Sequence, residues 1–222
     1  MKIAILVAMD KELELVLAAV GPTSQLRLGD TVYHTAPYGR HELIIGKAGI
    51  GKVNAAIATV TLLDNLHPAL VINSGVAGGV GVARPLDVVI PTSIAYHDVW
   101  CGPGTEPGVA DGMPARFGCP LDDEHISGLG ARAGLLASGD IFVSSAAEVE
   151  RIRSLYPDAV AVDMESAAMA HACHMRGVPF ICLRVVSDTP GAVDDNAAQY
   201  SDFWTDAPRH TFDTLHRLLQ IL

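Results

Sequence analysis

The chain has 222 residues and a formal net charge of −10; half of its residues are hydrophobic and 18% are charged. That length fits one α/β domain over residues 1–222, with apolar material for a large core and for a subunit interface besides. The 15 Lys and Arg residues are scattered rather than gathered into a patch, which argues against a nucleic-acid partner.

The first apolar run, Met1 to Met9, reads as a buried strand over 2–8 and is too short for a signal peptide. Residues 10–20 follow as a helix with Leu13, Val16, Leu17 and Val20 on one face, ended by Gly21-Pro22. Two short strands are expected near 31–36 and 41–47. A small-residue turn through Gly46, Ala48, Gly49 and Gly51 then leads into a helix near 52–66. Residues 69–73 form a strand that ends in a glycine-rich turn, Ser74-Gly75-Val76-Ala77-Gly78-Gly79. Residues 87–95 and 135–138 are further strand candidates. Between them, residues 101–120 carry Pro103, Pro107, Pro114 and Pro120 among several glycines and read as a long functional loop. Ser145 and Glu148 make a capping box that starts a helix near 146. A strand over 159–162, an Ala-rich helix over 165–176, a strand over 180–186 and a helix over 202–221, interrupted or delayed at Pro208, complete the chain.

Strands alternating with helices predict a three-layer α/β/α domain around a mixed central sheet. No stretch reaches the roughly 20 apolar residues that cross a bilayer. The four cysteines, Cys101, Cys119, Cys173 and Cys182, show neither CxxC pairing nor zinc-ligand spacing with histidine. No metal is therefore expected, and four scattered cysteines with no framework spacing and no signal peptide point to a reducing compartment, the cytoplasm.

In such a sheet ligands bind where strands end. Three carboxylates sit at or just beyond predicted strand ends: Glu12, Glu165 and Asp188. Each has a purely structural alternative. Glu12 and Glu165 lie in the first turns of helices, where a carboxylate favours the dipole, and Asp188 can cap a turn before Thr189-Pro190-Gly191. Periodicity alone leaves the two readings open. The 74–79 segment is not GxGxxG and no Walker Lys-Ser/Thr follows it, which disfavours a dinucleotide or triphosphate site. Its small residues either let a ligand approach the backbone or form a plain tight turn.

Six segments occur in a telling order. They are Met9 with Glu12; Gly46-Lys47-Ala48-Gly49-Ile50-Gly51-Lys52-Val53-Asn54-Ala55-Ala56; Asn73 to Gly79; Ser138-Gly139-Asp140-Ile141-Phe142; Val162-Asp163-Met164-Glu165-Ser166; and Arg184-Val185-Val186-Ser187-Asp188. Together they resemble the purine nucleoside phosphorylase/uridine phosphorylase superfamily, and within it the methylthioadenosine/S-adenosylhomocysteine nucleosidases, from residue 1 to about residue 220.

The resemblance implies hydrolysis of the N-glycosidic bond of an adenine nucleoside, without metal or organic cofactor. Asp188 matches the acid that protonates N7 of the departing adenine. Glu12 matches the carboxylate that holds and deprotonates the attacking water, and Arg184 an arginine near that water. Glu165 and Met164 match ribose contacts, Phe142 an aromatic that stacks on adenine, and Val143 a backbone contact to the base. Met9, Ile50 and Tyr200 match the apolar wall around the 5′ substituent. Val76, Asp163 and Ser187 fall at binding positions too. Val76 stands where many nucleosidases carry serine, and Asp163 where they commonly carry glutamate. Residues 191–199 run slightly longer than the family pattern. The resemblance also implies a homodimer in which the 97–117 loop reaches the neighbouring site, with Met113 and Pro114 its foremost contacts.

The residue types suit that chemistry. Breaking C1′–N9 builds positive charge on the ribose and negative charge on the base, so an acid must meet the base and a base must ready the water. A phosphorylase must instead hold a dianion, normally with arginines. The phosphorylase relatives carry an arginine where this chain has Asn73, and an early glycine-rich arginine segment where residues 8–14 offer only Lys11. Water is the expected nucleophile. The alternatives are a phosphate-dependent purine or uridine phosphorylase, a nucleosidase acting on aminodeoxyfutalosine, and a non-catalytic nucleoside-binding protein on the same fold.

Overall fold

The computed structural model of the chain describes residues 1–191, 196–206 and 208–222. In chain order the elements are β1 (Lys2–Val7), α1 (Asp10–Val20), β2 (Ser24–Leu28), β3 (Thr31–Tyr38), β4 (His41–Lys47), α2 (Lys52–Leu66), β5 (Leu70–Gly79), β6 (Val88–Val89), β7 (Ser93–Tyr96), β8 (Phe117–Gly118), α3 (Asp123–Gly128), β9 (Leu135–Ser138), α4 (Ala146–Leu155), β10 (Ala159–Asp163), α5 (Ser166–Arg176), β11 (Phe180–Asp188), α6 (Asn196–Asp206) and α7 (Pro208–Ile221).

The first strand explains the layering. Successive side chains of a strand point to opposite faces, and every residue from Ile3 to Val7 is fully buried. Ala4 and Leu6 pack with Ala55 and Leu62 of α2 and Ala167 and Met169 of α5. Ile3, Ile5 and Val7 pack with Val16 of α1 and Leu215 and Leu218 of α7. A strand apolar on both faces is stable only as the middle of three layers, with each buried Ile or Leu contributing on the order of 1.5–3 kcal/mol.

The strands make one mixed sheet of order β2-β3-β4-β1-β5-β10-β9-β7-β8, with β11 paired to β5 and β6. β1 runs parallel to both β4 and β5. β5 runs parallel to β11 over most of its length and antiparallel to β10 at its end. The ends of β1, β5, β10 and β11 therefore converge on one region. Among the described residues no helix is long and apolar enough to cross a membrane.

Several expectations need correction. Ser74 to Gly79 is not a turn but the second half of the ten-residue strand β5. Leu183, Arg184, Val185 and Val186 of β11 stand in register with Ser74, Gly75, Val76 and Ala77, so continuous pairing overrides the glycine content. The single strand expected over 87–95 is two: β6 pairs with β11 and β7 with β9, and Pro91 between them has no N–H to donate. β2 escaped the sequence reading because it is exposed along most of its length and shows no apolar alternation. The last helical stretch begins at Asn196 rather than 202, and α7 begins at Pro208, the position where a missing N–H costs least. Residues 192–195 of the long 191–199 segment lie outside the described residues. The Ser145/Glu148 capping box is formed as expected.

Candidate active site

Glu12 lies at the third position of α1, and its carboxylate does two things. Oε2 accepts the backbone N–H groups of Ala8 (2.8 Å) and Met9 (3.0 Å), which completes a capping box around Met9. Oε1 reaches across to the backbone N–H of Val76 at 3.1 Å. The first-turn capping reading of Glu12 thus holds, in a side chain that also reaches across to β5. Its approach requires glycine at 75, where a Cβ would stand 2.5 Å from Oε1. The close approach that small residues were expected to allow is made here by the protein's own carboxylate. Burial raises the Glu12 pKa, opposed by Arg184 and the three backbone N–H groups.

Beneath this carboxylate runs a buried polar network. Arg184, on β11, donates from Nε (3.1 Å) and Nη2 (2.7 Å) to Asp163 Oδ2. It also donates to Ser166 Oγ at 2.9 Å, to Asn73 Oδ1, and through Nη1 to Asn73 O at 3.2 Å. Ser166 Oγ in turn donates to Asp163, whose carboxylate also receives the Ser166 N–H at the start of α5. Burial alone would lower the Arg184 pKa, but Cys182, Asp163, Glu165 and Glu12 outweigh it and keep the guanidinium charged. The guanidinium has two faces: it is bonded to Asp163, and it stands 3.4 Å from where a Gly75 Cβ would be, next to Glu12.

Glu165 caps α5 from a non-helical conformation (φ −128°, ψ −37°). Its Oε1 accepts the Gly51 N–H at 2.9 Å. Gly51 precedes α2 with φ +90°, which glycine adopts without strain, so the small-residue turn exists to aim that N–H. Burial first, and the neighbouring Asp163 second, push the Glu165 pKa up to about 7.

Asp188 ends β11, just past a register shift after Val186 that turns the strand end. It is 2% exposed. Ser187 Oγ donates to its Oδ1 at 2.6 Å, and Asn196 Nδ2 to its Oδ2 at 2.8 Å.

These groups open onto one cavity. Its lining includes Glu12, Asp163, Glu165 and Asp188, together with Met9, Ile50, Val76, Phe142, Val143, Met164, Ser187 and Tyr200. Phe142 and Tyr200 meet edge to face in that lining, their centroids 5.9 Å apart, and the Tyr200 hydroxyl donates to Met9 Sδ at 3.2 Å. Of the residues expected at this site Arg184 alone does not line it; Met113 and Pro114, expected at a neighbouring subunit's site, lie elsewhere. Arg184 sits behind the wall. Met113 packs partly buried on the core cluster of α2 and α5, and Pro114 borders a separate depression with Arg116 and His174.

Of the remaining lining, sequence reading missed Ala8 and carried Ala77, Gly78, Ile141 and Val162 only inside the family segments, without an individual role, since all are small or apolar. It also missed the supporting groups. Asn73 was read only for the arginine it replaces. Ser166 was legible as the partner of an Asp163-x-x-Ser166 cap. Asn196 carried no signal.

Residues 2–220 match the family model of the phosphorylase superfamily. A 5′-methylthioadenosine/S-adenosylhomocysteine nucleosidase of Anoxybacillus flavithermus is 32% identical, the match covering 100% of this chain and 99% of that protein. Among solved structures, the S-adenosylhomocysteine nucleosidase of Streptococcus pyogenes in complex with 5-methylthiotubericidin superimposes with a TM-score of 0.91 at 31% identity, covering 100% of this chain and 97% of that one. The 5′-methylthioadenosine/S-adenosylhomocysteine nucleosidase of Neisseria meningitidis in complex with methylthio-immucillin-A gives 0.90 at 31% identity, covering 100% and 99%.

Proposed function

The chain belongs to the phosphorylase superfamily, and on that footing we propose how its cavity works. The protein hydrolyses the N-glycosidic bond of an adenine nucleoside, methylthioadenosine, S-adenosylhomocysteine or a close relative, and releases adenine. The observation that carries hydrolysis over phosphorolysis is the lining: among the described residues it holds four carboxylates and neither lysine nor arginine. A phosphate dianion would meet no cationic partner in that lining. The one nearby arginine, Arg184, is committed to Asp163, Ser166 and Asn73.

As C1′–N9 breaks, its electron pair goes to the base, and Asp188 gives its proton to N7. Water adds to C1′ and loses a proton to Glu12, which the backbone N–H groups of Ala8, Met9 and Val76 hold in place. Glu165 receives the sugar hydroxyls, with Met164 beside them, and its negative charge favours the cation-like ribose. Phe142 stacks on the base and the Val143 backbone reads its edge. Met9, Ile50 and Tyr200 enclose the 5′ substituent. Arg184 acts from behind, holding Asp163 and biasing Glu12 and Glu165 toward their charged forms.

In this reading the whole chain acts as one domain in the cytoplasm. It works as a homodimer whose 97–117 loop, through Met113 and Pro114, completes the neighbouring site. The test is adenine release from methylthioadenosine and S-adenosylhomocysteine, followed by chromatography. Turnover of either supports the reading; binding of both without adenine release overturns it.

A further inference from the structure

Asn196 opens α6 and is 4% exposed. Its amide nitrogen carries two N–H groups, and both are used. One reaches Asp188 Oδ2 at 2.8 Å and the other the Val143 carbonyl at 3.3 Å. These are the two groups set against the base: the acid that protonates it and the backbone that reads its edge. We propose that Asn196 is a positioning residue that fixes Asp188 relative to the Val143 backbone, so that recognition of the base and its protonation share one geometry. The inference rests on the hydrolase reading.

The balance of protons explains why an amide serves there. Asp188 begins neutral and ends as a carboxylate once its proton has moved to N7. The charge it acquires is met by two donors already in place, Ser187 on Oδ1 and Asn196 on Oδ2. Ser187 is the less constant of the two. Its single hydroxyl proton also has the Ala77 carbonyl within 3.2 Å, so it can serve Asp188 or Ala77 but not both. Asn196 has a separate N–H for each partner. It stays fixed on Oδ2 through the transfer and meets the charge that develops there.

Other charged and titratable groups face this corner. They are Glu12 from α1, Asp163 at the end of β10, Glu165 ahead of α5, Arg184 on β11 and Tyr200 on α6. Asn196 is hydrogen-bonded to Asp188 and to none of these, so Asp188 is the titratable group that a substitution at 196 touches directly.

The experiment measures kcat and KM for adenine release across pH, with adenine affinity by calorimetry, for wild type, Asn196→Ala and Asn196→Asp. Asn196→Ala is expected to lower kcat roughly tenfold or more while KM changes little, since positioned proton transfer contributes about a hundredfold or more. Its alkaline limb should move to higher pH, because a donor to the ionised acid is gone. Asn196→Asp keeps the side-chain shape, but two carboxyls in contact cannot both ionise. Its turnover should recover toward acid pH, where the new carboxyl carries a proton to donate. Wild-type kcat and an unmoved limb in both variants overturn the inference. So does a fall in kcat with an unmoved limb and a lowered unfolding midpoint, which is a structural role only. If the wild type releases no adenine, the hydrolase reading fails separately. Adenine affinity then decides: a roughly tenfold loss in Asn196→Ala supports the coupling, and equal affinity overturns it.

Discussion

Glu12 Oε1 and the Val76 backbone N–H meet at 3.1 Å, which ties α1 to the middle of β5 at the cavity wall. With Ala8 and Met9 on the other oxygen, the carboxylate faces three backbone donors and no acceptor among these contacts. In Glu12→Gln the side-chain amide must therefore turn its NH2 toward at least one N–H. The substitution is expected to cost about a hundredfold or more in kcat, as loss of a general base does, and to lower the thermal midpoint modestly. Wild-type kcat in this variant removes Glu12 from its role.

Asp188→Asn keeps the shape and both donors' neighbours but has no acidic proton. Turnover should fall by about a hundredfold or more, while adenine affinity stays within a few-fold. Calorimetry with adenine beside a turnover assay separates the two effects. Near-normal turnover sinks the acid assignment.

Glu165 makes the site less stable as pH rises. Its folded pKa of about 7 lies above the ordinary 4.5. Its contribution to stability is therefore full below about 4.5 and is lost as pH climbs through 7. Glu165→Gln cannot ionise, and its Oε1 still accepts the Gly51 N–H. In urea unfolding the variant should gain on wild type as pH rises from about 5 to about 8.5, while losing turnover. A gap that does not change with pH contradicts this.

Arg184 and Asp163 form an ion pair in which each side chain is 2% exposed. Breaking such a pair leaves a buried charge alone, so Arg184→Met should cost about 3–5 kcal/mol in urea unfolding. Adding Asp163→Asn to it should cost less than the sum of the two single losses, because the second change removes the stranded charge. Additive losses would place the two residues in separate networks.

The fold was legible wherever one signal dominated. The continuous apolar run of β1, the face of α1 and the Ser145/Glu148 cap each specify their element locally. The turn misread at 74–79 shows the limit: Gly75 is there because Glu12 needs the space a Cβ would fill, a contact 63 positions away that no local pattern encodes. The carboxylates drew attention because strand ends are where such sheets bind ligands, but the pattern left their structural readings open and only the family resemblance gave them roles. Asn196 was not, because its value lies in bridging Asp188 and Val143, which sequence distance hides. Arg184 was legible as a residue type and not as a position, since only packing puts it behind the wall rather than in it.

The most direct test of water as nucleophile is adenine release from methylthioadenosine in phosphate-free buffer, repeated with phosphate added. A cavity lined by Glu12, Asp163, Glu165 and Asp188 predicts the same rate in both, with free methylthioribose as the second product. Release that depends on phosphate and yields a sugar 1-phosphate would contradict it.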